Sequence, residues 1–166
     1  MKHPMHETFK IRRAEPGDAK ALTAFNLSLA LETEGKRLKS PLVTQGVEAL
    51  LSGSGSGFYV VAEQAGNVVA SLLITTEWSD WRNGEFWWIQ SVFVLPEVRR
   101  RGIYRQLYNH VHSMAAQNDR VCGFRLYVEK SNRRAQETYL ALGMQETEYL
   151  VFEQLKPGID YLDAGP

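Results

Sequence analysis

Between residues 58 and 117 the apolar pattern changes period once, at Arg99-Arg100-Arg101-Gly102. Upstream stand three runs rich in β-branched and aromatic residues: FYVVAE, VVASLLITTEW and EFWWIQSVFV. They are separated by Gln64-Ala65-Gly66-Asn67 and by a turn containing Asn83-Gly84. Such runs between turn residues predict three successive strands of an antiparallel meander. Downstream, Ile103, Leu107 and Val111 recur at every fourth position beside Tyr104, Tyr108 and Met114, which predicts an amphipathic helix to about residue 117. A strand therefore passes directly into a helix through a basic, glycine-containing turn, which points to an α/β fold.

The flanks extend the pattern. Residues 9–14 (FKIRRA) alternate like a short strand, and Glu15-Pro16-Gly17-Asp18 supplies a turn and an N-cap. A helix is expected over residues 18–34, with Leu22, Phe25, Leu29 and Leu31 on its apolar stripe and Gly35 to stop it. Further expectations are a helix over 44–51, a strand over 121–128, and a helix over 133–142 capped by Ser131 or Asn132 and stopped by Gly143. A last strand is expected over 147–155 (TEYLVFEQL). The hexamer SGSGSG at 52–57 reads as a loop, because the residues before it are too few to bury an independent core. One domain over residues 1–166 is expected, with its core at 9–155.

The 166 residues are 44% hydrophobic, and Lys plus Arg equals Asp plus Glu at 19 each. No net charge draws such a chain to nucleic acid or to an acidic membrane. No apolar stretch is long enough to span a bilayer or to form a signal-peptide core, so a cytoplasmic protein is expected. The single cysteine, Cys122, has no partner for an internal disulfide; within VCGFRLYV it is expected to be buried packing and not a nucleophile. His110 and His112, two apart on a helix, do not share a face, and His3 and His6 lie near the start of the chain. With no Cys partner and no HExxH spacing, no metal site is expected.

The basic turn carries the chemistry. First-turn N–H groups of a helix lack intrahelical partners, and the helix dipole adds partial positive charge. A turn of this kind binds phosphate. Gly102 lets the backbone approach a ligand, and Arg99, Arg100 and Arg101 add charge-assisted donors; the plainer alternative is a solvated basic turn that merely starts a helix. Further on, Asn132, Ala135 and Tyr139 stand at helical spacing before Leu142-Gly143-Met144.

With both motifs on the page, the chain resembles the GNAT superfamily of acyl-CoA-dependent N-acyltransferases. Its first signature is Arg or Gln, two residues, Gly, one residue, then Gly or Ala, and here reads Arg99-Arg100-Arg101-Gly102-Ile103-Tyr104. Its second, Asn-x-x-Ala-x-x-x-Tyr with a Leu-Gly-Phe-like end, is met by Asn132, Ala135 and Tyr139 with Leu142-Gly143-Met144. Tyr104 departs from the family, which usually has a small residue there. The resemblance covers residues 9–155 and implies a three-layer α/β/α fold, with a mixed, mostly antiparallel sheet of six or seven strands splayed at the cofactor site.

By this resemblance the pantetheine arm of acetyl-CoA pairs with main-chain groups of Val92 and Val94, beside Phe93. Its pyrophosphate meets the turn from Arg99 to Tyr104, including Ile103, and Asn132 belongs to the same cofactor set. A strand whose neighbour diverges has N–H and C=O groups that need a partner, and a bulge near Phe93 assists the divergence. Tyr139 is the expected general acid: a tyrosine, with a pKa of about 10, stays protonated beside a thiolate of about 8.5 and can donate to it. The main-chain N–H of Val92 or a neighbour is the expected oxyanion donor.

The expected reaction is acetyl transfer to a primary amine of a small molecule, amino-acid derivative or peptide, by direct attack in a ternary complex. A lysine-like ammonium is neutral in only about one part in two thousand at pH 7, so a base is required. Trp88 and Gln90 are expected to point inward on the fourth strand, and neither accepts a proton there. A water relay to Glu85, Glu77, Glu32 or Glu34 is expected instead. Glu32, Trp78 and Gln90 are the candidate acceptor contacts, with the loop 32–36 as the point of entry. Trp78, Trp81, Trp87 and Trp88 crowd one hairpin, where they line a pocket for an organic cation or form a packing or homodimer surface; alternation puts Trp87 and Trp88 on opposite faces. The alternative to catalysis is a non-catalytic acyl-CoA-binding or sensing domain, and nucleic-acid binding through the local arginines is the third reading.

Overall fold

The computed structural model describes residues 9–164, so His3 and His6 lie outside the described residues. The chain divides into two compact units, Met1–Arg125 with Tyr161–Pro166, and Leu126–Asp160.

Five strands form one sheet in sequence order: β1 (Lys10–Arg13), β2 (Gly57–Gln64), β3 (Asn67–Ser79), β4 (Gly84–Val94) and β5 (Val121–Leu126). The first four are antiparallel neighbours. β5 starts beside the start of β4, where Glu85 N–H donates to Arg120 O at 2.7 Å. A Cβ placed on Gly84 would come within 3.1 Å of Cys122 Cβ, and one on Gly123 within 2.7 Å of Phe86 Cε1. The two strands thus advance together and are parallel, as the helical crossover between them requires. The sheet is mixed and mostly antiparallel, as expected, but with five strands among the described residues where six or seven were expected.

The helices are α1 (Ala19–Glu34), α2 (Ser40–Leu51), α3 (Ile103–Ala116) and α4 (Arg133–Ala141). α2 begins a turn earlier than expected, because Pro41 sits in its first turn, where the missing N–H costs no intrahelical bond. Within the first unit α1 and α2 cover one face of the sheet, where Leu22 and Val47 pack on Tyr59, Val61 and Leu73. Alternation sends Val60, Leu72, Ile74 and Ile89 to the other face, against which α3 buries Ile103, Leu107, Tyr108 and Val111. Leu31, expected on the inner stripe of α1, is exposed.

Gly57 shows that SGSGSG is more than slack. A Cβ there would lie 2.2 Å from Ile74 O, so only glycine lets β2 start against β3. Between β2 and β3, Ala65 (φ +49) and Gly66 (φ +79) make the left-handed pair that suits a tight hairpin. Arg12 ties β1 to its neighbours, donating to Asp18 Oδ2 at 2.7 Å and Oδ1 at 3.0 Å and to Glu63 Oε2 at 2.9 Å. Asp18 in turn accepts from Glu15 N–H at 2.7 Å in a capping box around the 3₁₀ turn Pro16–Asp18, which leads into α1.

In the second unit, Asn132 Oδ1 accepts from Ala135 N–H at 3.1 Å and so caps α4, and Gly143 (φ +89) follows its end. Residues 147–155 form no strand; Tyr149, Leu150, Val151 and Phe152 are exposed. Their β-forming side chains express that preference only against a neighbouring strand, and no ladder takes up the segment among the described residues. Cys122 is exposed, against expectation, because its neighbour on β4 is Gly84, which has no side chain to cover it.

Candidate functional site

β4 is the element from which the site is built. Against β3, Leu73 pairs with Gln90 and Ser71 with Phe93, so three steps on β4 answer two on β3. The extra residue is a bulge at 91–92, with Ser91 held at φ +44. It inverts the alternation. Before it, Trp87 and Ile89 point to the α3 side, and Trp88 and Gln90 to the α1–α2 side. After it the odd-numbered Phe93 reaches the α1–α2 side, with its ring 5.0 Å from that of Phe25 in α1. Phe93 is buried and its main chain faces β3 opposite Ser71, so the residue is a packing anchor at the end of β4, and the sequence-based expectation that it contacts the cofactor finds no free group there.

Leu95 N–H donates to Val69 O at 2.9 Å, facing β3. Strand alternation then aims the main-chain groups of Val94, and of Val92 two residues earlier, away from β3. Val94 O is met there by Arg99 Nε at 2.9 Å. Arg99 Nη2 also donates to Glu32 Oε2 at 2.7 Å, and its guanidinium carbon lies 5.7 Å from the Phe93 ring centre. Arg99 is thus directed onto the end of β4 and the last turn of α1. Arg101 Nη2 curls back to Glu97 O at 3.3 Å.

The turn itself has two left-handed residues, Arg100 (φ +65) and Gly102 (φ +73). A Cβ on Gly102 would meet no protein atom within 4 Å, so it is the backbone angle and not packing that calls for glycine. Gln106 N–H makes the first helical bond of α3, to Gly102 O at 3.2 Å. The N–H groups of Ile103, Tyr104 and Arg105 precede it, at the positive end of the helix dipole. The Ile103 side chain is buried, so its backbone N–H is the only group it presents at the turn. Tyr104 is half-buried, with its ring 6.1 Å from that of Tyr108; the side chain that departs from the family pattern runs along the helix.

On the α1–α2 side of β4, Gln90 Nε2 donates to Thr75 Oγ1 at 2.6 Å, and Trp88 Nε1 donates to Glu77 Oε2 at 2.6 Å. Arg125 Nη1 holds Glu77 Oε1 at 2.5 Å while stacking 3.8 Å from the Phe86 ring centre. Glu32, at the end of α1, belongs to this side as well. Trp78 does not join Gln90: it pairs with Glu85 on the opposite face, 52% exposed, with Arg120 5.7 Å from its ring. Glu85 shares that opposite face and accepts from Arg120 at 3.3 Å. Glu34 is bound by Lys36 at 2.5 Å. Sequence reasoning missed Arg125 and the Arg99–Glu32 pair; nothing local marks partners 48 and 67 residues apart. Tyr139 lies in the second unit, half-buried on the α4 face it shares with Ala135.

On the α3 side, the His112 ring is sandwiched between Phe124 at 4.0 Å and Tyr108 at 4.3 Å, and its buried Nε2 makes no hydrogen bond. Burial holds this imidazole below its ordinary pKa of 6.5, so it stays neutral and serves packing. Desolvation likewise pushes the Tyr108 phenol up. Among the described residues no helix is long and apolar enough to cross a membrane.

Residues 26–144 match the acetyltransferase (GNAT) family. Among solved structures, a possible acetyltransferase from Clostridium difficile 630 is 44% identical, with a TM-score of 0.84 over 90% of this chain and 99% of that one. An aminoglycoside N-acetyltransferase in complex with CoA, 18% identical, shares the fold at a TM-score of 0.72 over 93% of this chain and 99% of its own. So does a ribosomal-protein-alanine N-acetyltransferase from Brucella melitensis biovar Abortus 2308, 14% identical, at 0.71 over 90% and 99%. No curated protein matches the sequence.

Proposed function

The chain belongs to the acetyltransferase (GNAT) family, and from that premise we propose that it moves an acetyl group from acetyl-CoA to a primary amine of a small molecule, amino-acid derivative or peptide. The carrying observation is the left-handed pair Arg100 and Gly102, which opens α3 directly after a bulged strand. The same match favours transfer over the non-catalytic binding reading that Trp88 and Gln90 had left open.

Acetyl-CoA supplies an activated acetyl thioester. The residues of this chain do the rest. N–H groups of Ile103, Tyr104 and Arg105 hold the pyrophosphate, with the exposed Arg100 adding charge. Main-chain groups of Val92 and Val94 align the pantetheine arm, and the N–H of Val92 or a neighbour stabilises the oxygen that gains charge. Val94 O is shared with Arg99, which a carbonyl with two lone pairs allows. The Tyr139 hydroxyl donates its proton to the departing thiolate.

Among the carboxylates, Glu32 has the best claim as the end of a water relay from the amine. Arg99 bonds both Glu32 and Val94 O, which puts this carboxylate next to the end of β4. Glu77 stands beside Phe86, further back along β4, and Glu85 is on the other face. Calorimetric titration with acetyl-CoA tests the cradle: the wild type binds in the micromolar range, and Gly102→Glu abolishes binding while remaining folded. A folded wild type that fails to bind would overturn the reading. A pH profile of kcat/KM unchanged in Glu32→Gln would remove Glu32 from the relay.

A further inference from the structure

The loop between α1 and α2 is fastened by a distant segment of the chain. α1 ends at Gly35 (φ +63), where Gly35 N–H donates to Leu31 O and Lys36 N–H to Ala30 O, each at 3.1 Å. The next residues run extended and meet residues 161–163. Lys39 N–H donates to Tyr161 O at 3.0 Å, Asp163 N–H donates to Arg37 O at 2.8 Å, and Leu38 faces Leu162 in an antiparallel bridge between them. These two bonds flank a non-hydrogen-bonded pair, the position at which facing side chains come closest. All of these residues belong to the first unit.

Lys39 is the pivot of the arrangement. Its N–H is held by the distant segment, while its C=O accepts from Leu42 N–H at 3.0 Å and Val43 N–H at 3.1 Å and so starts α2. A five-residue helix connection such as 35–39 usually relies on its own turn for its shape. Here one end is set by the glycine that closes α1 and the other by a partner strand. Glu32, one turn before that glycine, is the residue that Arg99 ties to the end of β4.

We propose that residues 161–163 are a positioning strap for the acceptor side of the site: they fix the loop 36–39, and through it the geometry in which the end of α1 meets an acceptor. This rests on the acetyltransferase reading given above. The strap acts through the loop and touches no reacting atom, so its signature is a change in acceptor KM without a change in kcat or in acetyl-CoA affinity.

Proline at position 163 removes the N–H that Arg37 O accepts, whereas Asp163→Ala keeps it and deletes only the carboxylate. In the full-length protein, Asp163→Pro is expected to raise acceptor KM about two- to tenfold, the effect of one hydrogen bond. Amide exchange of Lys39 and its loop neighbours should quicken in the same variant, and Asp163→Ala should match the wild type in both readouts. An Asp163→Pro protein with faster exchange but unchanged KM overturns the strap's role in acceptor binding, as does an equal KM rise in Asp163→Ala. Unchanged exchange in Asp163→Pro overturns the strap itself. A wild type that transfers acetyl to no amine overturns the site reading, a failure separate from the exchange result.

Discussion

Arg12 and Arg99 each reach a carboxylate at 2.7 Å, yet the two pairs have different surroundings. The side chains of Arg12 and Asp18 are 19% and 9% exposed; those of Arg99 and Glu32 are 42% and 43% exposed. Arg12 binds two carboxylates and joins β1, β2 and the start of α1, while Asp18 also accepts a backbone N–H. Arg99 bridges only the end of β4 and the end of α1. Distance alone does not separate a scaffold from a movable contact; burial and the number of satisfied groups do.

The comparison is broken most directly at Asp18. Asp18→Ala leaves Arg12 half-buried with one partner fewer, and is expected to cost about 3 kcal/mol in chemical denaturation. A loss below about 1 kcal/mol would place both pairs in the surface class. The acid limb of stability gives the next effect. Hydrogen bonding from Arg12 holds the Asp18 carboxyl below its ordinary value of 3.8. Its contribution is therefore complete above that value and is lost as pH falls through the lower folded pKa. A melting series from pH 6 to pH 2 should show this loss in the wild type and in Glu32→Gln, but not in Asp18→Asn.

His112 sharpens the contrast from the other side, as a half-buried ring whose buried Nε2 makes no hydrogen bond. Its depressed pKa means that the unfolded chain binds the proton first, so stability falls as pH drops below 6.5, the ordinary value, towards the folded pKa. His112→Gln should flatten that part of the melting curve. A smaller effect is expected at the exposed pair: Arg99→Ala should change stability by no more than about 1 kcal/mol. The smallest is the response to salt, since 1 M NaCl should erase the stability difference between the wild type and Glu32→Gln but leave that of Asp18→Ala.

Much of the frame is legible in the sequence because its signals are local. Gly35, Asn132 and Gly143 punctuate helices through their own backbone or side-chain bonding, and the Arg99–Gly102 turn marks the passage from strand to helix. What escaped depends on distant partners or on a break in periodicity. The sequence groups Trp78 with Gln90 because strand faces cannot be matched across a hairpin until its register is known. The sequence points Cys122 inward because VCGFRLYV reads as a core strand, and the glycine opposite it lies on another strand. The strap at 161–163 follows LKPGID, a polar, Pro- and Gly-containing stretch with no strand pattern, and only backbone pairing reveals it.

The bulge at 91–92 makes β4 two segments with independent histories available to them. Residues up to Gln90 share their faces with β3 and the start of β5, whereas Phe93 answers to Phe25 in α1. Selection on one segment need not be paid back in the other. Under the function proposed above, drift in Trp88 or Gln90 alters the acceptor side while the end of the strand stays held by Phe25 and by Arg99, so the extra residue is a source of evolvability as well as of shape.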